Sequence, residues 1–358
     1  MKIPRIFMIV TFLMVIGFNL LAVEVNNSKK PTVPQKDFEL KNSIVMSDDF
    51  FGVTDFKIAA DKIITVDAMS KSVVILDLKG EIINIIDAQG KGPGELSMPT
   101  NIFLEESEGR FGIVDQMNRR VSYYDFSGNY IEDEPFEGMS VPIDKGNIAN
   151  HDINYNMKIS IDKEKGKVTS KPTIALKLNE EEIILHQSSF DPMKMNLQNT
   201  LPMFCNNSDY ICVSVMSTDE YKIKKYDSKG NLLQTITKDF DKIKKPEEDI
   251  KKIEERFDEM KERVKAAGSN LNINLSDLIY EYSIMSLELD DENNIWALTV
   301  DDRGYLFDKF NKKGKIVTQY KIGDSMSDVR VYRFYQGNFY TFSGNEDDGF
   351  KLKVYSVN

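Results

Sequence analysis

The chain has 358 residues, 46 Lys plus Arg against 57 Asp plus Glu, a formal charge of −11, two His and two Cys. The acidic balance argues against a nucleic-acid backbone as partner, because that binding rests on clustered Lys and Arg. Two His and two Cys exclude a three-His zinc site, a four-thiolate zinc site and a disulfide scaffold, while 41% hydrophobic residues suit a globular chain rather than a disordered one.

The first segment reads as an address. Lys2 and Arg5 precede an apolar run from Ile6 to Ala22, the pattern of a secretory signal peptide. Cleavage is expected after Ala22 and takes the formal charge to −13; the alternative is an uncleaved membrane-tethering helix. No Cys follows the run, so a lipid-anchored lipoprotein is not expected. The destination is periplasmic or extracellular. Residues 23–37 are polar and interrupted by Pro, and read as a linker.

Beyond residue 37 the apolar period is two almost throughout, which means strands. Lys62–Asp67, Ser72–Asp77 and Glu81–Ile86 recur, shifted by 48 residues, as Arg110–Asp115, Arg120–Asp125 and Asn129–Ile131. Two further copies run through Tyr210–Val215, Glu220–Asp227 and Asn231–Ile236, and through Asn294–Val300, Gly304–Asp308 and Lys315–Val317. A degenerate copy lies between, over about 154–186. Lys-Gly or Ser-Gly before each last strand marks a tight hairpin turn. Three strands follow Gly314, at Val329–Tyr335, Asn338–Phe342 and Phe350–Val357, with no fourth.

Four-stranded repeats of about 40–50 residues define a β-propeller. The expected fold is therefore all-β: a six-bladed ring over 38–358, closed by pairing the strand Phe38–Val45 with the C-terminal blade. Closure of this kind hides sheet edges. Between Gly230 and Gly314 an insertion, about 240–276, separates blades 4 and 5. It carries a predicted helix over 246–267, opened by Pro246 and acids, closed by Lys261–Lys265, with Ile250, Ile253, Phe257, Met260 and Val264 on one stripe. Both a rim helix and a lid or docking helix fit that pattern.

These repeats resemble the NHL type. Lys91-Gly-Pro-Gly-Glu95, followed by Met98-Pro99, is similar to the Gly-x-Gly-Pro-Gly-Glu segment of the secreted bacterial six-bladed β-propellers. The resemblance spans roughly residues 38–358 and implies architecture. The family's functions are diverse, so it implies little chemistry, and the lipid anchor common among its members does not carry over to a chain without the Cys.

In such a ring the strands a to d of each blade run outward, so d–a and b–c loops share one face and the tight c–d turns clip the other short. Function concentrates on long loops held by a rigid frame. The candidate binding residues are Asp67, Lys71, Lys91, Glu95, Asp115, Arg119, Arg120, Asp301 and Arg303. If a metal is held it is expected to be Ca²⁺, on Asp67, Asp115 and Asp301, because a hard cation wants several oxygens; Asp also recurs where it closes a strand and bonds its own turn. Gly90–Leu96 is not a phosphate loop, since Pro93 and the residues after it prevent the helix that would hold a phosphate.

Asp290–Asn294 lacks the Gly and spacing of an EF-hand and reads as a solvated a–b turn. Cys205 and Cys212 flank another a–b turn, where simple registers set them diagonally; whether they pair stays open. His151 and His186 stand apart from any Ser or Cys elbow, and Trp296 reads as a core residue. Catalytic residues are not identified. The favoured reading is an exported, monomeric, non-catalytic propeller that binds a protein, peptide or glycan through its loop-rich face, with no nucleic acid and no cofactor. The alternative is a Ca-assisted hydrolase, lactonase or lyase with its site at the central channel.

Overall fold

Twenty-six strands among the described residues group into six sheets. The computed structural model describes residues 23–28, 31–46, 52–149, 151–162, 167–191, 199–266, 278–321, 329–345 and 349–357. β1 (Val23–Asn27), β2 (Gln35–Asp37) and β3 (Glu39–Val45) precede blade 1, which is β4 (Val53–Ala59), β5 (Lys62–Asp67), β6 (Ser72–Asp77) and β7 (Ile82–Ile86). Blade 2 is β8 (Pro99–Glu105), β9 (Arg110–Asp115), β10 (Arg120–Asp125) and β11 (Tyr130–Pro135). Blade 3 is β12 (Ser140–Ile148), β13 (His151–Asp162), β14 (Lys167–Leu178) and β15 (Glu181–Gln187). Blade 4 is β16 (Pro202–Asn206), β17 (Ile211–Val215), β18 (Tyr221–Tyr226) and β19 (Leu232–Lys238). Blade 5 is β20 (Ser286–Leu289), β21 (Ile295–Asp301), β22 (Gly304–Phe310) and β23 (Ile316–Lys321). Blade 6 is β24 (Val329–Tyr335), β25 (Asn338–Asn345) and β26 (Gly349–Ser356).

The innermost strands touch in cyclic order, β4 to β8, β12, β16, β20, β24 and back to β4, so the ring is closed. The b and c strands are buried from both sides, which is why Ile63–Val66 and Val73–Leu76 read as unbroken β-branched and aliphatic runs. Apolar clusters fill the wedges between neighbouring blades; Ile64, Val66, Ile75, Ile102, Phe111 and Tyr124, for example, join blades 1 and 2. As the missing fourth strand of the last blade required, β3 completes blade 6 by antiparallel pairing with β26, Ser43 opposite Lys353.

Residues 23–37 correct the expectation of a linker. β1 adds to the outer edge of blade 4, parallel to β19, with Val25 opposite Ile236. β2 adds in the same way to blade 5, with Lys36 opposite Tyr320. The N-terminal segment is thus a strap that covers three successive blade edges. An edge strand needs mainly its backbone, so a polar, Pro-interrupted segment suffices. Asn27 locks it, its amide donating to Thr237 O (3.2 Å) and Gly314 O (3.0 Å) while its oxygen accepts from Ile316 N.

The insertion holds helix α1 (Glu247–Ala266) between β19 and β20. Phe257 is buried and Ile250 and Ile253 are half-buried; the side chains of Met260 and Val264 lie outside the described set. The remaining surface carries ion pairs such as Lys252–Glu248 at 2.8 Å. Among the described residues no helix is long and apolar enough to cross a membrane. The expected signal segment, residues 1–22, lies outside them.

Two local expectations are revised. Cys205 and Cys212 are direct cross-strand partners, not diagonal ones, because the tight turn bonded from Asn207 N to Tyr210 O sets the register. Both thiols are free, and the bond to the Cys212 thiol together with burial pushes the Cys205 thiol well up. The turn at Asp290 is not merely solvated. Asp290 accepts from Asn294 and from the indole of fully buried Trp296 (2.8 Å), and pairs with Lys309 at 3.1 Å. Burial opposes its ionisation, yet these donors hold its carboxyl below the usual range.

Candidate functional site

The nine residues singled out by sequence lie at the ends of strands b, in the b–c turns, at the start of β10 and in the d–a loop after blade 1, and most of them are engaged with the loops themselves. Asp67, fully buried at the end of β5, accepts from Met69 N and Ser70 N through Oδ1 and from Gly52 N through Oδ2. Asp115, 48 residues on, does the same at the end of β9: Oδ1 accepts from Met98 N and Asn118 N, and Oδ2 from Ser97 N and the Asn118 amide. Asp301 is bound by the backbone N–H and guanidinium of Arg303, which also donates to Gln319. Each carboxylate holds its own turn, Asp67 and Asp115 also tying it to the segment that precedes the blade's inner strand, and the three are not brought together. Among the described residues no three His, Cys, Asp or Glu are grouped to hold a metal.

The Gly90–Glu95 loop is stapled from both sides. Glu95 accepts from Gly92 N (2.7 Å), and a Cβ at Gly90, whose φ is 153°, would fall on the Glu95 carboxylate. Arg120 donates to the carbonyls of Gly92 and Glu95 and pairs with Asp133 at 3.0 Å, while Tyr124 donates to Gly94 O. Arg119 donates to Gly138 O and lies over the Phe136 ring. Lys71 and Lys91 remain exposed. The result is a rigid face whose polar groups largely hold one another.

The channel carries a charge network that sequence reasoning missed. Arg333 of β24 pairs with Asp55 of β4 at 2.6 Å and with Glu288 of β20 at 3.1 Å. Lys57 of β4 reaches Asp144 of β12 at 3.4 Å, and Asp55 also accepts from Ile102 N. Burial raises the carboxyls of Asp144 and Glu288 above the usual range; Lys57 opposes the shift at Asp144, and Arg333 at Glu288. Four blades therefore contribute to a cross-braced channel. The signal in the sequence was the charge at alternate positions of an otherwise apolar a strand, Asp55 and Lys57.

His186 of β15 borders a cavity of about 220 Å³ with Ser214, Lys222 and Lys224. Its Nε2 is buried with no hydrogen-bond partner among the described residues. Burial, and then the Lys224 ammonium, hold its pKa below the ordinary 6.5. The neutral ring is favoured by folding, so the stability tied to it is present above the unfolded pKa and is lost as pH falls through the folded one. With two His in the chain, imidazole NMR should resolve one titration displaced below 6.5, and Lys224→Ala should move it up; an undisplaced His186 refutes this account.

Six four-stranded blades whose inner strands meet in a closed ring, braced by ion pairs across their inner strands, define a β-propeller. The chain belongs to the DUF5128 family, described as a 6-bladed beta-propeller, whose profile matches residues 47–347. Among solved structures it is similar to a protein described as exported from Bacteroides fragilis NCTC 9343, at 11% identity and a TM-score of 0.56, covering 94% of this chain and 100% of the other. It is also similar to U3-55K, at 8% identity, TM-score 0.54 and coverage of 89% and 100%. Virginiamycin B lyase from Staphylococcus aureus matches at 10% identity and TM-score 0.51, with coverage of 90% and 100%. At such identities the likeness is one of fold. No curated protein matches the sequence.

Proposed function

We propose that this chain is an exported, non-catalytic propeller that binds a polypeptide through the loop face of blades 1 to 3. The observation that carries the reading is a set of exposed methionines in neighbouring b–c and d–a loops: Met69 is 70% exposed, Met117 65%, Met139 45% and Met98 42%. Thioether side chains adapt to varied apolar partners and are enriched at protein interfaces. Here they stand on loops fixed by Asp67, Asp115 and Arg120, so binding orders little of the protein. A glycan, the other ligand class considered for this face, would need polar groups that these loops spend on each other. Lys71, Lys91 and Arg119 around the methionines favour a partner segment that is apolar and acidic. Export rests on the leader pattern at residues 1–22. A Ca-assisted hydrolase finds less support, because Asp67, Asp115 and Asp301 turn their oxygens onto their own loops.

The test is site-specific photo-crosslinking in intact cells, with the reactive residue at Met117 or, as control, at Lys229 in a c–d turn of the opposite face. A defined partner is expected from position 117 and not from 229. Met69→Glu/Met98→Glu should abolish the adduct while leaving unfolding within the roughly 0.5 kcal/mol per site usual for surface changes. Equal adducts from both faces, or none from Met117, overturn the proposal.

A further inference from the structure

Blade 3 departs from the rule that strand b is apolar on both faces. In β5 and β21 the residues facing either neighbour are buried and mostly hydrophobic, as in Ile63–Val66 and Ile295–Val300. In β13 only one face follows that pattern: Ile153 and Tyr155 pack against Ile211, Val213 and Tyr226 of blade 4. The alternate positions, Asp152, Asn154 and Asn156, turn toward blade 2, and instead of a packed wedge they meet two adjoining cavities of about 510 and 390 Å³. Both volumes lie within the range of small-molecule sites.

The lining is specific in kind. Asn154 and Asn156 are half-buried, and their amides have no hydrogen-bond partner among the described residues. Neither is sealed from solvent, so a ligand entering the cleft can take the place of water on these groups. Carboxamides both donate and accept, as hydroxyl groups do, and the two sit one strand repeat apart on one face. The charge around them is negative. Glu134 and Glu137 of blade 2 line the cleft on one side and Asp152, Glu180, Glu181 and Glu182 of blade 3 on the other. Of the lysines that reach the cleft, Lys145 is held by Glu105 (3.3 Å) and the Tyr123 hydroxyl (2.9 Å) and Lys57 by Asp144, while Lys177, opposite Asp152, is exposed and leaves the lining net acidic. Phe136 supplies an apolar wall.

We propose that the cleft between blades 2 and 3 binds a polyhydroxylated ligand that carries positive charge, of the glucosamine-oligosaccharide class. Unpaired amides select the hydroxyls, the carboxylate rim selects the ammonium groups and rejects anionic sugars, and the aromatic wall takes a ring face. The cleft meets the methionine face only at the loop that carries Phe136 and Met139, and the variants that test it, at Asn154, Asn156, Glu181 and Glu182, lie outside that face, so either assignment can fail without the other.

The experiment is calorimetric titration of the mature protein with a glucosamine tetramer, its fully N-acetylated counterpart and spermidine. The glucosamine tetramer is expected to bind at least tenfold more tightly than either of the others, with an affinity that falls as salt rises. Asn154→Ala/Asn156→Ala should weaken it at least tenfold with unchanged melting. Glu181→Gln/Glu182→Gln, at the exposed start of β15, should weaken it and reduce the salt dependence. Equal binding of spermidine reduces the site to bare charge and overturns the proposal. Equal binding of the N-acetylated sugar removes the charge selection and does the same, as does absence of glucosamine binding in a protein that melts normally.

Discussion

Phe38→Ala is expected to destabilise the ring by about 3–5 kcal/mol, the usual cost of deleting a buried aromatic side chain, and to lower the melting temperature by roughly 5–10 °C for a domain of this size. Phe38 sits between β2 and β3, where the strap passes from blade 5 to blade 6. Its ring stacks on Phe339 of blade 6 at 4.5 Å and meets Tyr320 and Phe307 of blade 5 at 5.0 and 5.8 Å. Trp296, Phe334 and Tyr355 complete the aromatic cage. One side chain therefore fastens both blades to the segment that closes the ring, and its removal opens a cavity that these large rings cannot collapse to fill. Phe38→Leu should recover more than half of the loss. The strap-specific reading demands a second signature: amide exchange in β2 and β3 should rise more than in β5 or β9, because the strap detaches before the blades unfold. A uniform rise across all blades would show that Phe38 is ordinary core.

The ring was legible because of the same physics that makes the blades stable. Strands b and c are buried on both faces, so their apolar runs and the Gly turns between c and d repeat at a fixed spacing. Phe38–Val45 stood out because an extended, β-rich segment was left without a partner while the last blade lacked a strand. Residues 23–37 did not stand out, since β1 and β2 attach chiefly through backbone groups and a few residues such as Val25 and Asn27. On the loop face, the sequence placed Asp67, Asp115 and Asp301 together on b–c loops. It could not tell an Asp directed at solvent from one directed at its own amides, since both want the same residue at the same position. Charge pairs across the ring were hidden for another reason: Asp55 and Arg333 are 278 residues apart, and no local pattern links them. The polar face of β13 was visible as alternation, His151-Asp-Ile-Asn-Tyr-Asn156, but there it passed for a degenerate repeat rather than a cleft.

Asp308→Ala is expected to cost about 3–5 kcal/mol, because it strands a charge in the core. Asp308 is fully buried in β22 and accepts from Lys238 Nζ (2.6 Å), the Tyr221 hydroxyl (2.8 Å) and Gln319 Nε2 (2.6 Å). Lys238, at the end of β19, is nearly as buried and lies opposite Asn27 of the strap. Removing the carboxylate leaves the ammonium without its counter-charge between blades 4 and 5, whereas Gln319 still holds Arg303 and, through it, Asp301. Asp308→Asn separates charge from shape: it keeps a hydrogen-bond acceptor but should still destabilise. The decisive comparison is Lys238→Met/Asp308→Leu, which removes both charges and fills the space. Buried pairs often exchange for apolar residues at little cost, so the double variant should melt close to the wild type although each single charge deletion does not. If Asp308→Ala loses less than about 1 kcal/mol, the pair behaves like an exposed one, and the strap at Asn27 is held by its own hydrogen bonds rather than by the charge beneath it.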